Sequence, residues 1–343
     1  MKALMLEEYS HLEVVDVPEP ACEPDEVLIR VAACGICGSD VHGLDGSSGR
    51  RQPPLIMGHE AAGVIAALGA GVAGWQTGER VTFDSTIYRL DDWYTRRGLA
   101  NLSDGREVLG VSPGEYRRDG AFAEYVAVPQ HILYRVPAGV RFEQAAMVEP
   151  VAVAAHAVSL TPLAIGDTAV VVGAGMIGLC LVQVLHAAGC GRVIALDLEP
   201  ERRELALRLG ADLVLDPGQQ DVGKAIAERT EGRGADVAFE AVGITATVKT
   251  AIAAVRRGAT VTLVGNLAPS VEVPLQAVVT RQLRLQGSCS IAGEYPAALS
   301  LIERGVVDVD AMLSAVAPLS EGAAWFDRLH RKQRGLLKVI LRP

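Results

Sequence analysis

The sequence predicts an α/β protein: a β-rich first domain joined to a doubly wound parallel sheet. Two patterns and one motif predict this. The first third reads as short strands broken by Gly and Pro turns. From Ala169 onward, strand-like and helix-like stretches alternate, as βαβ units do. At the first of those units an apolar run, Val170-Val171-Val172, ends in Gly173-Ala174-Gly175-Met176-Ile177-Gly178.

These glycines are spaced G-x-G-x-x-G, and each has a physical use. Gly173 lets the chain turn tightly off the strand, Gly175 lets the backbone approach a pyrophosphate, and Gly178 lets the helix pack on the strand. The start of that helix presents free N–H groups and a positive dipole end to phosphates. Asp197 closes the next apolar run, about twenty residues on, where an acid binds ribose hydroxyls. Alone, the spacing also suits a strand–helix turn with no ligand. Strand, helix and acid in this order point to a dinucleotide site of the Rossmann type.

The elements follow in order. Residues 2–6, 12–17 and 27–33 are short β-type runs, and 61–68, 80–83, 121–128 and 132–136 continue the pattern. Residues 84–120 are otherwise polar and irregular. Periodicity turns helical over 143–160. Strands are then expected at 169–172, 193–197, 213–215, 237–240, 260–264 and 283–288, with helices over 176–188, 200–209, 222–229 and 246–255 between them. Helices over 295–304 and 320–331 precede a last strand at 338–341.

Composition excludes some classes. With 343 residues the chain suits about two domains. A net charge of −9 argues against nucleic acid and anionic membrane as partners. Acids at Glu7 and Glu8 come too early for a secretory apolar segment, and no apolar run is long enough to span a bilayer. The six cysteines are read as reduced thiols of a cytoplasmic protein.

Cys37, His59, Glu60 and Glu149 are the candidates for chemistry in the first part. A catalytic zinc takes about three ligands from Cys, His and carboxylate and keeps one position open. Cys37 and His59 lie in Gly-flanked loops at strand ends, and Glu149 lies where the two parts meet. Each also has a plain structural use. Cys37 could be a small buried hydrophobe, His59 a hydrogen-bonder, and Glu149 an acid in the first turn of a helix. Spacing alone leaves both readings open; Cys34 and Cys37 spell C-x-x-C with no second pair to complete a four-cysteine site.

Together, Cys37-Gly38-Ser39-Asp40-Val41-His42, Gly58-His59-Glu60-Ala61-Ala62-Gly63, Gly78-Glu79-Arg80-Val81, Glu149-Pro150 and the glycine motif stand in the order seen in the zinc-dependent medium-chain dehydrogenases. The resemblance covers essentially the whole chain, and Glu149-Pro150 resembles the sorbitol and polyol branch. It implies a GroES-like catalytic domain over residues 1–150, a Rossmann NAD-binding domain over 151–288, and a C-terminal segment, 289–343, that returns to the catalytic domain. It implies that Cys37 and His59 bind a catalytic Zn2+, with Glu60 or Glu149 completing the set directly or through water. Ser39 and His42 match the family's proton relay. Gly173, Gly175, Ile177 and Gly178 match the pyrophosphate loop, Asp197 the ribose acid and Arg202 a basic residue near the adenosine ribose. Val264, Gly265, Asn266 and Ser288 match backbone along the nicotinamide.

The implied reaction is reversible oxidation of a secondary alcohol, such as a polyol, to a ketone with hydride transfer to NAD, by a homodimer or homotetramer. An amino alcohol, a cyclitol or a phosphorylated polyol would suit the same chemistry. Arg50-Arg51 and Arg117-Arg118 are the doublets that could hold a phosphate, although such doublets are usually surface. The rivals are a metal-free reductase and a catalytically dead dinucleotide-binding protein. One departure stands out. Relatives carry a structural zinc on four cysteines spaced C-x2-C-x2-C-x7-C, where this chain has Arg89, Asp92, Thr95 and Ser103. No structural zinc is therefore expected. The lobe over 84–115 is expected to be mobile, or held by an Arg89–Asp92 pair, by Trp93 and Tyr94, or by a neighbouring subunit.

Overall fold

A computed structural model of the chain describes residues 1–112 and 117–343. It divides into two compact units. One holds Met1–Glu149, Ile291–Glu303 and Met312–Pro343; the other holds Pro150–Ser290 and Arg304–Ala311.

The first unit is built on a seven-stranded sheet. Its order is Leu133–Arg135, Arg80–Phe83, Glu60–Leu68, Glu26–Gly35, Lys338–Arg342, Leu313–Pro318, and Tyr125–Pro129 also pairs with Glu26–Gly35. The strand Glu26–Gly35 is central and mostly buried, and its alternating apolar residues face the core. Gly35 stands opposite Glu60, and also opposite Ile340 of the last strand. A smaller sheet, His11–Asp16, Lys2–Glu8 and Leu55–Ile56, packs its apolar side into the same core. Phe122 and Phe326 meet there edge to face, 5.6 Å between centroids.

The second unit is a six-stranded sheet, and every pair of neighbouring strands in it is parallel. Its order is Leu213–Leu215, Arg192–Leu196, Thr168–Val172, Ala235–Glu240, Val255–Leu263, Arg284–Gly287. Numbered along the unit this is 3-2-1-4-5-6, so the order reverses between Thr168–Val172 and Ala235–Glu240. All five residues of Thr168–Val172 are buried, as a parallel strand covered on both faces requires.

Three expectations need correction. Residues 143–160 form two helices, Phe142–Ala146 and Val148–Ser159. Pro150 sits in the first turn of the second, where its missing N–H costs nothing, whereas within a single helix it would clash with the preceding turn. A short helix, Gly38–Gly43, and an edge strand, Leu313–Pro318, were not expected at all. The lobe is held differently from the proposed ion pair. Its last residues, 113–115, lie outside the described ones. The Arg89 guanidinium stands 3.5 Å from Asp91, not Asp92. The Asp92 carboxylate accepts hydrogen bonds from Tyr94 N at 2.6 Å, Thr95 N at 2.9 Å, Thr95 Oγ1 at 3.2 Å and Ser103 Oγ. Ser103 Oγ in turn accepts from Arg89 N at 3.0 Å. Arg89, Asp92, Thr95 and Ser103 are thus joined by hydrogen bonds around one carboxylate. Trp93 is mostly exposed, with Arg97 over its ring at 3.8 Å.

Candidate active site

The registers of the first sheet gather the site. Glu26–Gly35 runs into Cys37, the residue before the helix Gly38–Gly43. Its antiparallel neighbour starts at Glu60, opposite Gly35, with His59 just before it. The last strand starts at Lys338. Cys37, His59 and Glu60 form a group in which one ligand atom from each lies within 4.8 Å of the others. Among the described residues the other such group, Glu7, His11 and Glu13, is on the first hairpin, with His11 and Glu13 exposed.

Each member is held from behind. His59 is buried, and its Nδ1 stands 3.4 Å from Asp40 Oδ1 without hydrogen-bond geometry, so it has no hydrogen-bond partner. Burial would push its imidazole down, but the charges of Asp40 and Cys37 outweigh this and hold its pKa well above the ordinary value. Asp40 is fully buried and accepts from Cys37 N at 3.3 Å and Arg51 Nη2 at 2.7 Å. Burial opposes its charge, but His59 and Arg51 prevail and keep its carboxyl far below the carboxylate range. Glu60 Oε2 is 2.5 Å from Lys338 Nζ, which also donates to Ile36 O at 3.1 Å. Burial works against the Lys338 charge, yet Glu60 and Cys37 raise its pKa. Glu149 is partly buried in the first turn of its helix, outside the tight group; desolvation, then Glu60, pushes it up to about 7. Ser39 and His42 both lie on Gly38–Gly43, three residues apart and so on one face; His42 is exposed.

These residues fit a zinc ion. Thiolate, imidazole and carboxylate are the donors zinc takes, and three of them leave a position open.

The second unit builds a cradle at its reversal point. Gly173 leaves its strand with φ +96°. A Cβ on Gly178 would stand 1.8 Å from Gly173 O, so the close helix–strand approach admits only glycine there. Gly175 precedes the helix Met176–Ala187, and a Cβ built on it meets nothing within 4 Å. Asp197 Oδ2 accepts from Ala174 N at 2.8 Å and Oδ1 from Glu199 N at 2.9 Å, which ties the acid to the glycine loop. Arg202 Nη1 is 3.7 Å from Asp197 Oδ2. On the other side of the reversal, the buried Glu240 carboxylate accepts from Val242 N and Gly243 N, and its carbonyl accepts from Val264 N and Gly265 N. Ser288 N bonds Leu263 O at 2.9 Å, while its Oγ is buried without a hydrogen-bond partner; Asn266 is exposed. Open space at Gly175 and the unpartnered Ser288 hydroxyl fit a bound dinucleotide.

Asp40, Lys338 and Glu240 were not singled out from the sequence, and Arg51 only as half of a doublet that could hold a phosphate. Two carried a signal: Lys338 is a lone charge in the apolar run Leu336-Leu337-Lys338-Val339-Ile340-Leu341, and Glu240 ends the run Val237-Ala238-Phe239.

Residues 23–138 match the model of the alcohol dehydrogenase GroES-like domain, and residues 177–304 that of the zinc-binding dehydrogenases. Sorbitol dehydrogenase of Bacillus subtilis (strain 168) is 33% identical over 100% of this chain and 97% of its own. The chain belongs to the zinc-dependent medium-chain dehydrogenases. It lies in their polyol dehydrogenase branch and is an alcohol dehydrogenase. The structure of 2R,3R-butanediol dehydrogenase from Bacillus subtilis is similar, with a TM-score of 0.89 and 32% identity over 100% of this chain and 99% of that one. A zinc-binding dehydrogenase of Sinorhizobium meliloti 1021, solved bound to NADP, has a TM-score of 0.91 and 32% identity over the same shares. Among the described residues no helix is long and apolar enough to cross a membrane.

Proposed function

We propose that this medium-chain dehydrogenase oxidises a secondary alcohol of the polyol or sugar-alcohol class to a ketone, reversibly, with NAD as the hydride acceptor and one zinc per chain. The observation that carries the reading is the Cys37–His59–Glu60 group, whose thiol, imidazole and carboxylate each bring one ligand atom within 4.8 Å of the others. Cys37 and His59 would hold the metal, with Glu60 or Glu149 completing the set. Bound zinc supplies a Lewis acid that lowers the pKa of an alcohol hydroxyl toward neutrality. Ser39 Oγ accepts the hydroxyl proton as its own proton leaves toward His42, exposed on the same helix face, and on to solvent.

In the second unit the loop around Gly173, Gly175, Ile177 and Gly178 would take the pyrophosphate on its N–H groups. Asp197 would accept the ribose hydroxyls and repel a 2′-phosphate, which favours NAD over NADP. Arg202, 3.7 Å away, offsets part of that repulsion. Val264, Gly265, Asn266 and Ser288 would line the nicotinamide. The hydrogen-bonded Asp92 lobe supports a single zinc, because no thiolate stands at its four positions. The chain would work as a homodimer or homotetramer. Exposed Leu267, Val273, Leu275 and Val279, which precede the edge strand Arg284–Gly287, favour such a contact. Free cysteines suit a cytoplasmic setting.

Two observations favour an unphosphorylated substrate. Arg51 is buried against Asp40, and Arg118 pairs with Glu26 and Glu107, so neither is left for a phosphate. The reading is tested by NAD and NADP reduction against sorbitol, xylitol, galactitol, butanediol and a polyol phosphate, with zinc measured on the same sample. Reduction of NAD by an unphosphorylated polyol, with one zinc per chain, is expected. No turnover, or turnover without zinc, would overturn it.

A further inference from the structure

We propose that Arg51 is a positioning residue for alcohol oxidation: its guanidinium fixes the direction in which the Ser39 hydroxyl passes a proton. The proposal rests on Ser39 handling the substrate proton, as proposed above.

Arg51 is only 2% exposed. Its Nη2 donates to Ser39 Oγ at 3.1 Å and to Asp40 Oδ1 at 2.7 Å, so one nitrogen bridges two consecutive residues of the helix Gly38–Gly43. The stem reaches that position across Gly43, where a Cβ would stand 2.3 Å from Arg51 Cγ. Gly43 thus leaves the room through which the arginine enters. Asp40 requires a cation in a buried site; the contact with Ser39 is additional to that need.

The chemistry of the contact is one-sided. A guanidinium donates hydrogen bonds and accepts none, and it keeps its protons. A hydroxyl has two acceptor lone pairs and one hydrogen that otherwise rotates to suit its surroundings. With Arg51 on one lone pair, Ser39 keeps one lone pair and its own hydrogen. The alcohol O–H bond breaks as a new bond forms from that proton to the free lone pair of Oγ. The original Ser39 proton leaves toward His42 and solvent, and Arg51 returns unchanged. The fixed positive charge also steadies negative charge on Oγ during the handover.

A counter-ion for Asp40 would act independently of Ser39; a positioning residue acts through it. The test is a double-mutant cycle of Ser39→Ala and Arg51→Met, read in kcat, KM and solvent isotope effect, with zinc content measured for each variant. Ser39→Ala is expected to lower kcat by roughly 10²-fold, in the range of general acid–base contributions. Arg51→Met is expected to lower kcat about tenfold with KM and zinc nearly unchanged, and to lower it less than about twofold when Ser39 is already Ala, as strong coupling requires. Additive losses, or no loss from Arg51→Met, would overturn the role of Arg51 and leave the relay standing. No loss from Ser39→Ala would overturn the relay and this proposal with it. If Arg51→Met fails to fold, Arg51→Lys, which keeps a cation beside Asp40, is read through the same cycle.

Discussion

Lys338 and Glu60, 278 residues apart in sequence, form a buried ion pair with 2.5 Å between Nζ and Oε2. The pair joins the last strand to the strand that opens at the candidate metal group. Breaking a buried pair on one side leaves an uncompensated charge and costs about 3–5 kcal/mol. Lys338→Met should therefore destabilise the chain by that order in urea unfolding, and Lys338→Met with Glu60→Gln should recover much of it. Equal stability of Lys338→Met and the parent would contradict the pairing.

The Asp92 carboxylate gathers the hydrogen bonds that tie the lobe together. Asp92→Ala should lower the unfolding midpoint and speed proteolysis between residues 84 and 112. A chelator strong enough to strip zinc should leave that proteolysis rate unchanged in the parent. A chelator-dependent rate would place a metal in the lobe.

Asp84 gives the chain a pH dependence of stability. Burial pushes its carboxyl up to about 7, against the hydrogen bonds from Thr86. In the unfolded chain an Asp titrates near 3.9. The folded state therefore holds this proton more tightly. The stabilisation is complete below about pH 4 and is lost as the pH rises through 7, with a slope of roughly 1.4 kcal/mol for each pH step of one between those limits. Asp84→Asn should flatten the stability curve between about pH 4 and 7. An unchanged slope in that window would show that Asp84 titrates as an ordinary surface acid.

Asp197 sets cofactor choice in the proposed function. Asp197→Asn removes the charge that opposes a 2′-phosphate, with Arg202 already 3.7 Å away. The ratio of kcat/KM for NAD over NADP should fall by about tenfold or more, since about 1.4 kcal/mol is a factor of ten. A ratio that does not move would assign cofactor choice elsewhere.

Much of the fold could be read from the chain because its signals are local. The glycine loop, its helix and Asp197 lie within 25 residues, and the parallel strands read as short apolar runs between helical stretches. The site was less legible. Cys37, His59 and Glu60 became a group only through the register that sets Gly35 opposite Glu60. Lys338 joins them through pairing of the last strand, which no spacing encodes. Arg51 looked like half of a surface doublet, and only the room over Gly43 explains its burial. The strand Leu313–Pro318 ends in proline and has one sheet neighbour, so an ordinary strand pattern does not mark it. The helix Gly38–Gly43 is too short for periodicity to show.

The central claim is that Cys37 is a ligand of a catalytic zinc. Cys37→Ala, purified beside the parent, should fold with the parent's circular dichroism, carry far less than one zinc per chain, and lose turnover of NAD with a polyol. Full zinc content together with full turnover in Cys37→Ala would contradict the account.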